Sequence, residues 1–427
     1  MLDINFVRAH PDGIREMLRL RNAEAALEQA LEQALEADAR RRSLLAEAEK
    51  LKAERNAASK AIGRAKDSPA REAKIAEMKR VGERISALDE ELRTVAETLQ
   101  RALGALPNLP DARTPAGRDE SENVIVRTAG EPKELPFAPK AHWDLGPALG
   151  IIDFEQAARM TGSRFFVLHG AGARLQRALS AWMLELHLRQ GYREVYPPFL
   201  VREEAMFGAG QLPKFADNLY RDAEEDLWMI PTAEVPLTNL HAGEILDADR
   251  LPLRYTACTA CFRREKAAAG RDVRGIKRVH QFEKVEMYTY CTPETADAEC
   301  DRMLADAEAV CAGLGLLHRV KQLCTGDLGF TATRTYDIEV WSPGVGEWLE
   351  VSSISHCGDF QARRAAVRYR PAKGAKPVCV HTLNGSGLAL PRTVIAVLEN
   401  FQTPEGEIVI PEPLRPLMGG MEIIRKE

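Results

Sequence analysis

Apolar residues fall at Met78, Val81, Ile85, Leu88, Leu92, Val95, Leu99, Ala102 and Leu106, alternately three and four apart. This heptad seam predicts a long helix whose apolar stripe needs a partner of the same kind. A looser series precedes it: Leu27, Leu31, Leu35, Leu44, Leu51, Ala58 and Ile62. Lys66-Asp67-Ser68-Pro69 lies between the two, with Ser68 and Pro69 as cap and first-turn signals. The pattern predicts two long helices folded back on each other. At ~1.5 Å per residue, about 40 residues a side make an arm on the order of 60 Å long, which leaves any globule the rest of the chain can form. Residues 1–22 read as a short cap with a turn at His10-Pro11-Asp12-Gly13.

Beyond residue 106 the pattern changes. Pro107, Pro110, Pro115, Pro132, Pro136 and Pro139 mark a linker over 107–140, interrupted by a strand expected at 123–128. A strand at 164–168 runs into a helix at 173–190, burying Leu175, Leu179, Trp182 and Leu186 and ending at Gly191. A second helix is expected over 292–316, then strands at 317–323, 337–341 and 347–353. A last helix starts at Pro391 with Val394, Ile395, Leu398 and Phe401 on its core face.

Over 255–290 the alternation predicts two strands around a basic loop. Cys261, Arg263 and Glu265 share a face of the first strand, and Phe282, Lys284, Glu286 and Tyr288 a face of the second. Lys266, Arg271, Arg274, Lys277 and Arg278 lie between, with Gly270 and Gly275 for the turn. The expected fold class is α+β: an N-terminal antiparallel helical coiled-coil arm over 1–106, then a domain over 107–427 built on an antiparallel sheet flanked by helices.

Charge sharpens this division. Of 427 residues, 28% are charged and the net charge is −5, yet residues 40–103 carry 16 Lys/Arg against 11 Asp/Glu. Basic charge is concentrated on the arm, which suits a phosphate backbone and equally a solvated coiled coil or a dimerisation rod. No apolar run reaches membrane-spanning length, and the first residues do not read as a secretion signal. All eight cysteines lie at or after Cys258 in scattered positions, which argues for a reducing, cytoplasmic setting. Cys258 and Cys261 form a lone CxxC, so no zinc is expected. His169-Gly170-Ala171-Gly172 lacks the third glycine of a dinucleotide fingerprint, Leu175 standing in its place, and no P-loop occurs.

The chemistry gathers on the strand pair. A guanidinium such as Arg263 can fork onto phosphate or carboxylate oxygens, and a ring such as Phe282 can stack on a base. On residue types alone a solvated, salt-bridged hairpin is the favoured reading, since charged strand faces are usually surface. FRRE at 262–265 followed by VHQFEKVEMY at 279–288 resembles motif 2 of the class II aminoacyl-tRNA synthetases, in wording similar to the seryl-tRNA synthetase family of bacterial type. Residues 191–198 resemble motif 1, the family's dimer-forming helix–strand–proline junction. Thr232-Ala233-Glu234 resembles its amino-acid-binding loop, Glu350-Val351-Ser352-Ser353 its ATP and metal segment, and residues 381–392 motif 3. On bare residues, Thr232 is also a helix cap, Glu350 sits on a polar edge strand, and Arg392 points to water from a helix start that disfavours a cation.

The resemblance spans essentially the whole chain. It implies a ligase that activates L-serine with ATP and transfers it to tRNA(Ser), leaving tRNA(Sec) open as a second acceptor. Arg263, Glu265 and Arg392 would be catalytic. Thr232, Ala233, Glu234, Arg263, Glu286 and Ser386 would surround serine. ATP would be held by Arg263, Arg264, Glu265, Val279, Phe282, Glu350, Val351, Ser352, Ser353 and Arg392. Glu350 and Ser353 would hold Mg²⁺. The helical arm would bind tRNA, and motif 1 would form a homodimer. Arg264 and Lys266 depart from the small residues usual after the motif 2 arginine. A paralogue charging a carrier protein would lack the arm, and a non-catalytic nucleic-acid binder would tolerate loss of Arg263, Glu286 or Arg392.

Overall fold

The computed structural model describes residues 1–62, 69–266 and 274–426. Lys66, Asp67 and Ser68 of the expected helix turn, and Gly270 and Arg271 of the basic loop, lie outside them. The chain divides into Leu2–Pro107 and a second unit from Asn108 onward, which includes Met1.

In the first unit, α1 (Glu24–Ile62) and α2 (Pro69–Ala105) are the two expected long helices. Leu44 and Ala48 pack on Leu88, with Leu51, Leu92 and Val95 around them, so the heptad seam is the contact face. Pairs such as Arg84–Glu47 at 2.7 Å and Lys52–Asp89 at 2.9 Å join the helices on exposed flanks. Exposed pairs of this kind contribute about 0–1 kcal/mol each, so the apolar seam carries the pairing. Two features differ from the sequence reading. Pro11, expected in a turn, opens a helix over Pro11–Leu20, consistent with proline's tolerance at the first helical position. Asp38, which the sequence reading did not single out, is buried and ion-paired with Arg8 at 2.8 Å and Arg42 at 3.0 Å.

The second unit is organised on an eight-stranded sheet. Its strands are β1 (Val124–Ala129), β2 (Arg193–Glu194), β3 (Leu253–Phe262), β4 (Gln281–Cys291), β5 (His318–Gln322), β6 (Arg334–Ser342), β7 (Glu347–Gly358) and β8 (His381–Ala389). Their spatial order is β1-β5-β6-β7-β8-β4-β3-β2. Every pairing is antiparallel except β2 with β3. One face carries α3 (Gly170–Arg189), α5 (Ala296–Gly313) and α6 (Leu390–Asn400), whose Leu179, Met303 and Ile395 join Met287, Ile338 and Ile354 of the sheet in the main core. A second apolar cluster holds Tyr288 and Tyr290 with Leu237 of the short α4 (Glu234–Asn239).

Boundaries moved where local geometry intervened. The strand expected at 164–168 is only Val167–Leu168, since Arg164 sits at φ 64°. In α3 the fully buried face is Leu175, Ala178, Leu179, Met183 and His187, leaving Trp182 and Leu186 partly exposed. α5 starts at Ala296 because residues 292–295 form its lead-in turn. β7 is a central strand between β6 and β8, which removes the edge-strand reading of Glu350. Among the described residues no helix is long and apolar enough to cross a membrane.

Candidate active site

β3 and β4 are long antiparallel neighbours with Cys261 opposite Phe282 and Ala257 opposite Glu286. β3 stops at Phe262, so Arg263 and Glu265 leave the strand alternation that was expected to place them beside Cys261. Glu265 adopts φ 49°, and that turn returns its side chain to the same cavity as Arg263. The cavity encloses about 380 Å³ and is lined from three strands, β4, β7 and β8, from two helix starts and from the loops between them. Thr232, Glu234, Arg263, Glu265, Val279, Phe282, Glu286, Glu350, Val351, Ser353, Ser386 and Arg392 all border it. Of the remaining expected residues, Ala233 is buried in the second apolar cluster and Ser352 donates its hydroxyl to the Ser386 carbonyl. Arg264 is exposed near the Tyr220 ring, 5.9 Å from its centroid.

Two register shifts build the cavity wall. Residues three apart on a regular strand face opposite ways, so Glu350 and Ser353 would diverge. Glu339 opposes Glu350 while Ile338 opposes Ser352, so Val351 is an extra residue, a β-bulge that returns both side chains to the cavity. A second shift between Ser386 and Ala389 turns both of them toward it, with Ser386 directly opposite Glu286.

At one end, Glu286 is buried and ion-paired with Lys284, and Thr232 Oγ1 donates to it at 3.0 Å. The same Thr232 oxygen accepts from the Glu234 backbone N–H at 3.1 Å, although the helix N-cap is Ala233, one residue beyond the cap expected at Thr232. Gln361 Nε2 and Asn384 Nδ2 donate to Glu234 Oε1 at 2.6 and 3.1 Å. Although Glu234 as a residue is partly exposed, burial of its carboxyl and then the Glu286 charge raise its pKa to about 7. In the middle, the Arg263 guanidinium lies 5.1 Å from the Phe282 ring centroid and donates to the Pro231 carbonyl at 3.2 Å.

At the other end, Arg392 does not point freely to water. Its Nη1 donates to the Glu350 carbonyl at 2.6 Å and lies 3.4 Å from that residue's carboxylate. Arg278 holds Glu265 at 3.1 Å. Asp337, opposite Ser353, has a buried Oδ1 without a hydrogen-bond partner; burial and then the Glu350 charge push it well above the usual carboxylate range.

Lys284, Gln361, Asn384 and Asp337 were not assigned from sequence. Lys284 was reachable, since it shares the Glu286 face by period two. Gln361 carried no signal, because it comes from a separate short helix, Phe360–Ala365. All eight cysteines are free thiols, and Cys261 is buried with its pKa raised by burial.

An antiparallel sheet with a cationic, carboxylate-rich nucleotide-sized cavity is the core of a class II aminoacyl-tRNA synthetase, and the model of the "tRNA synthetase class II core domain (G, H, P, S and T)" matches residues 215–401. Residues 1–110 match the "Seryl-tRNA synthetase N-terminal domain". The serine–tRNA ligase of Roseiflexus sp. (strain RS-1) is 61% identical over 426 residues, spanning the whole of both chains. Among solved structures, the seryl-tRNA synthetase of Pyrococcus horikoshii complexed with ATP aligns over the whole of both chains at 36% identity and a TM-score of 0.93. The cytoplasmic serine–tRNA ligase of Naegleria fowleri in complex with AMP is 31% identical, covers 100% of this chain and 99% of its own, and has a TM-score of 0.86. The chain belongs to the serine–tRNA ligase family.

Proposed function

We propose that the cavity activates L-serine with ATP and passes the seryl group to tRNA(Ser). In the first step a serine carboxylate oxygen attacks the α-phosphorus. A new P–O bond forms, the α–β bridging P–O bond breaks, and pyrophosphate leaves with its electron pair. In the second, a terminal ribose hydroxyl of the tRNA attacks the activated carbonyl and AMP departs. The protein's task in both is to position groups and neutralise charge.

The observation that carries this reading is the convergence of Arg263, Phe282, Glu286 and Arg392 on one cavity. Arg263, between its two ends, is suited to bridge the serine carboxylate and the α-phosphate. Phe282 and Arg392 would sandwich the adenine, and Glu265 would hold the nucleotide. Glu234 would take the serine ammonium. Glu286, with Thr232 and Ser386 beside it, would meet the serine hydroxyl.

Glu350 and Ser353 supply hard oxygen donors on one wall, and Asp337, opposite Ser353, has a buried oxygen without a hydrogen-bond partner. Mg²⁺ held there by these few protein oxygens would be completed by water and phosphate oxygens. When bound there, Mg²⁺ would neutralise charge on the nucleotide phosphates.

The basic helical arm would bind the tRNA. Residues 191–198, with Tyr196 84% exposed, would form a homodimer contact, and the setting would be cytoplasmic. The test is serine-dependent ATP–pyrophosphate exchange followed by charging of purified tRNA(Ser) and tRNA(Sec). Exchange with charging of a carrier protein alone, or no exchange at all, overturns the reading.

A further inference from the structure

We infer that His142 and Glu399 form a buried positioning relay that sets the backbone at the nucleotide end of the cavity. Neither residue borders that cavity, and both are buried, at 1% and 0% side-chain exposure. Five donors converge on the Glu399 carboxylate. The His142 backbone N–H and ring Nδ1 reach Oε1 at 3.0 and 2.8 Å. Gly344 and Val345 backbone N–H groups reach Oε2 at 2.9 and 3.1 Å, and the Ser342 hydroxyl also donates to it. Five donors shared between its two oxygens keep the carboxylate from rotating away.

That geometry determines the His142 tautomer. Nδ1 must carry the proton, because it faces a carboxylate. Nε2 is then an acceptor, and it receives the Ile276 backbone N–H at 3.1 Å. A proton on Nε2 would set two donors against each other. The imidazole is therefore a rigid strut between α6 and the segment that leads into β4. Gly275 shows how closely the segment is drawn in: at φ 72°, an added Cβ would lie 2.0 Å from His142 Nε2.

The segment so held supplies the cavity wall. Lys277, Arg278 and Val279 border the cavity immediately after Ile276. The Lys277 carbonyl accepts from Arg392 Nε at 3.4 Å, and Arg278 holds Glu265 at 3.1 Å. A displacement of Ile276 thus moves the partners of Arg392 and Glu265 together. Glu286 lies further along β4 and draws Thr232 and Ser386 from the approach to α4 and from β8, away from this bond. The relay accordingly affects ATP and leaves serine alone.

This inference rests on the ATP site proposed above, which wild-type exchange tests by itself. Two His142 substitutions separate the relay from simple packing. His142→Asn can still donate to Glu399 but presents no acceptor at the Nε2 position. His142→Gln places an amide oxygen near it. In ATP–pyrophosphate exchange, His142→Asn should raise the KM for ATP about tenfold with the KM for serine within about twofold of wild type, while His142→Gln stays within about threefold for both. If the asparagine variant does not fold, Gly275→Ala, which crowds the same atom, should give the same split. An unchanged KM for ATP overturns the relay. So does a rise in both KM values with a lowered melting temperature, or a glutamine variant as impaired as the asparagine one.

Discussion

Lys284 and Glu286 project from the same face of β4 into one cavity and form an ion pair there, and Thr232 donates to the same carboxylate at 3.0 Å. The Glu286 carboxylate therefore has partners before any amino acid arrives. A substrate hydroxyl adds to this group rather than rescuing an orphaned one, so discrimination against alanine is expected to be weaker than an unpartnered carboxylate would give.

Removing the carboxylate is a harsher change. Glu286→Ala would leave the Lys284 ammonium buried without its counter-charge, and breaking a buried pair costs on the order of 3–5 kcal/mol. Serine-dependent exchange should fall at least about 100-fold, with ATP affinity by calorimetry within about threefold. Serine turnover comparable to wild type would remove Glu286 from the amino-acid site.

Glu234 sets a pH dependence. Its pKa is raised to about 7 by burial and by Glu286, so a good part of it is protonated at neutral pH without substrate. An ammonium is held by the ionised form, so serine binding strengthens as pH rises through about 7 and weakens below it. KM for serine should fall several-fold between about pH 6 and pH 8, while KM for ATP changes little. A flat serine profile across that range, or one shared with Glu234→Gln, would count against the role.

The proposed Mg²⁺ site at Glu350 and Ser353 can be tested separately. Glu350→Gln keeps the backbone carbonyl that Arg392 uses but weakens the oxygen donor beside Ser353. The Mg²⁺ concentration for half-maximal exchange should rise about tenfold, and chelation by EDTA should abolish wild-type exchange. An unchanged Mg²⁺ titration would take Glu350 out of the metal site.

Leu88 is fully buried against Leu44 and Ala48 in the arm. Leu88→Ala should cost that unit about 2–5 kcal/mol. Since the cavity lies wholly in the second unit, exchange should stay near wild type while tRNA charging falls. Equal loss of both activities would show that the arm's integrity is needed for adenylation as well.

Much of this molecule was legible before folding. The heptad series around Leu88 determined a paired helical arm, because burial along a helix repeats with the sequence itself. Alternation along residues 282–288 placed Lys284, Glu286 and Tyr288 on one face for the same reason. Motif wording brought Arg263, Phe282, Glu350 and Arg392 into one expected site. Tertiary structure alone decided how they meet. The extra residue Val351 re-aims Glu350 and Ser353 to the same side, and no local period carries a bulge, since it depends on how β6 pairs with β7. Gln361 reaches Glu234, and His142 reaches Ile276, across more than a hundred residues of chain. Such contacts are set by the packing of whole elements, so the chain's local chemistry names the groups and the assembled sheet selects their partners.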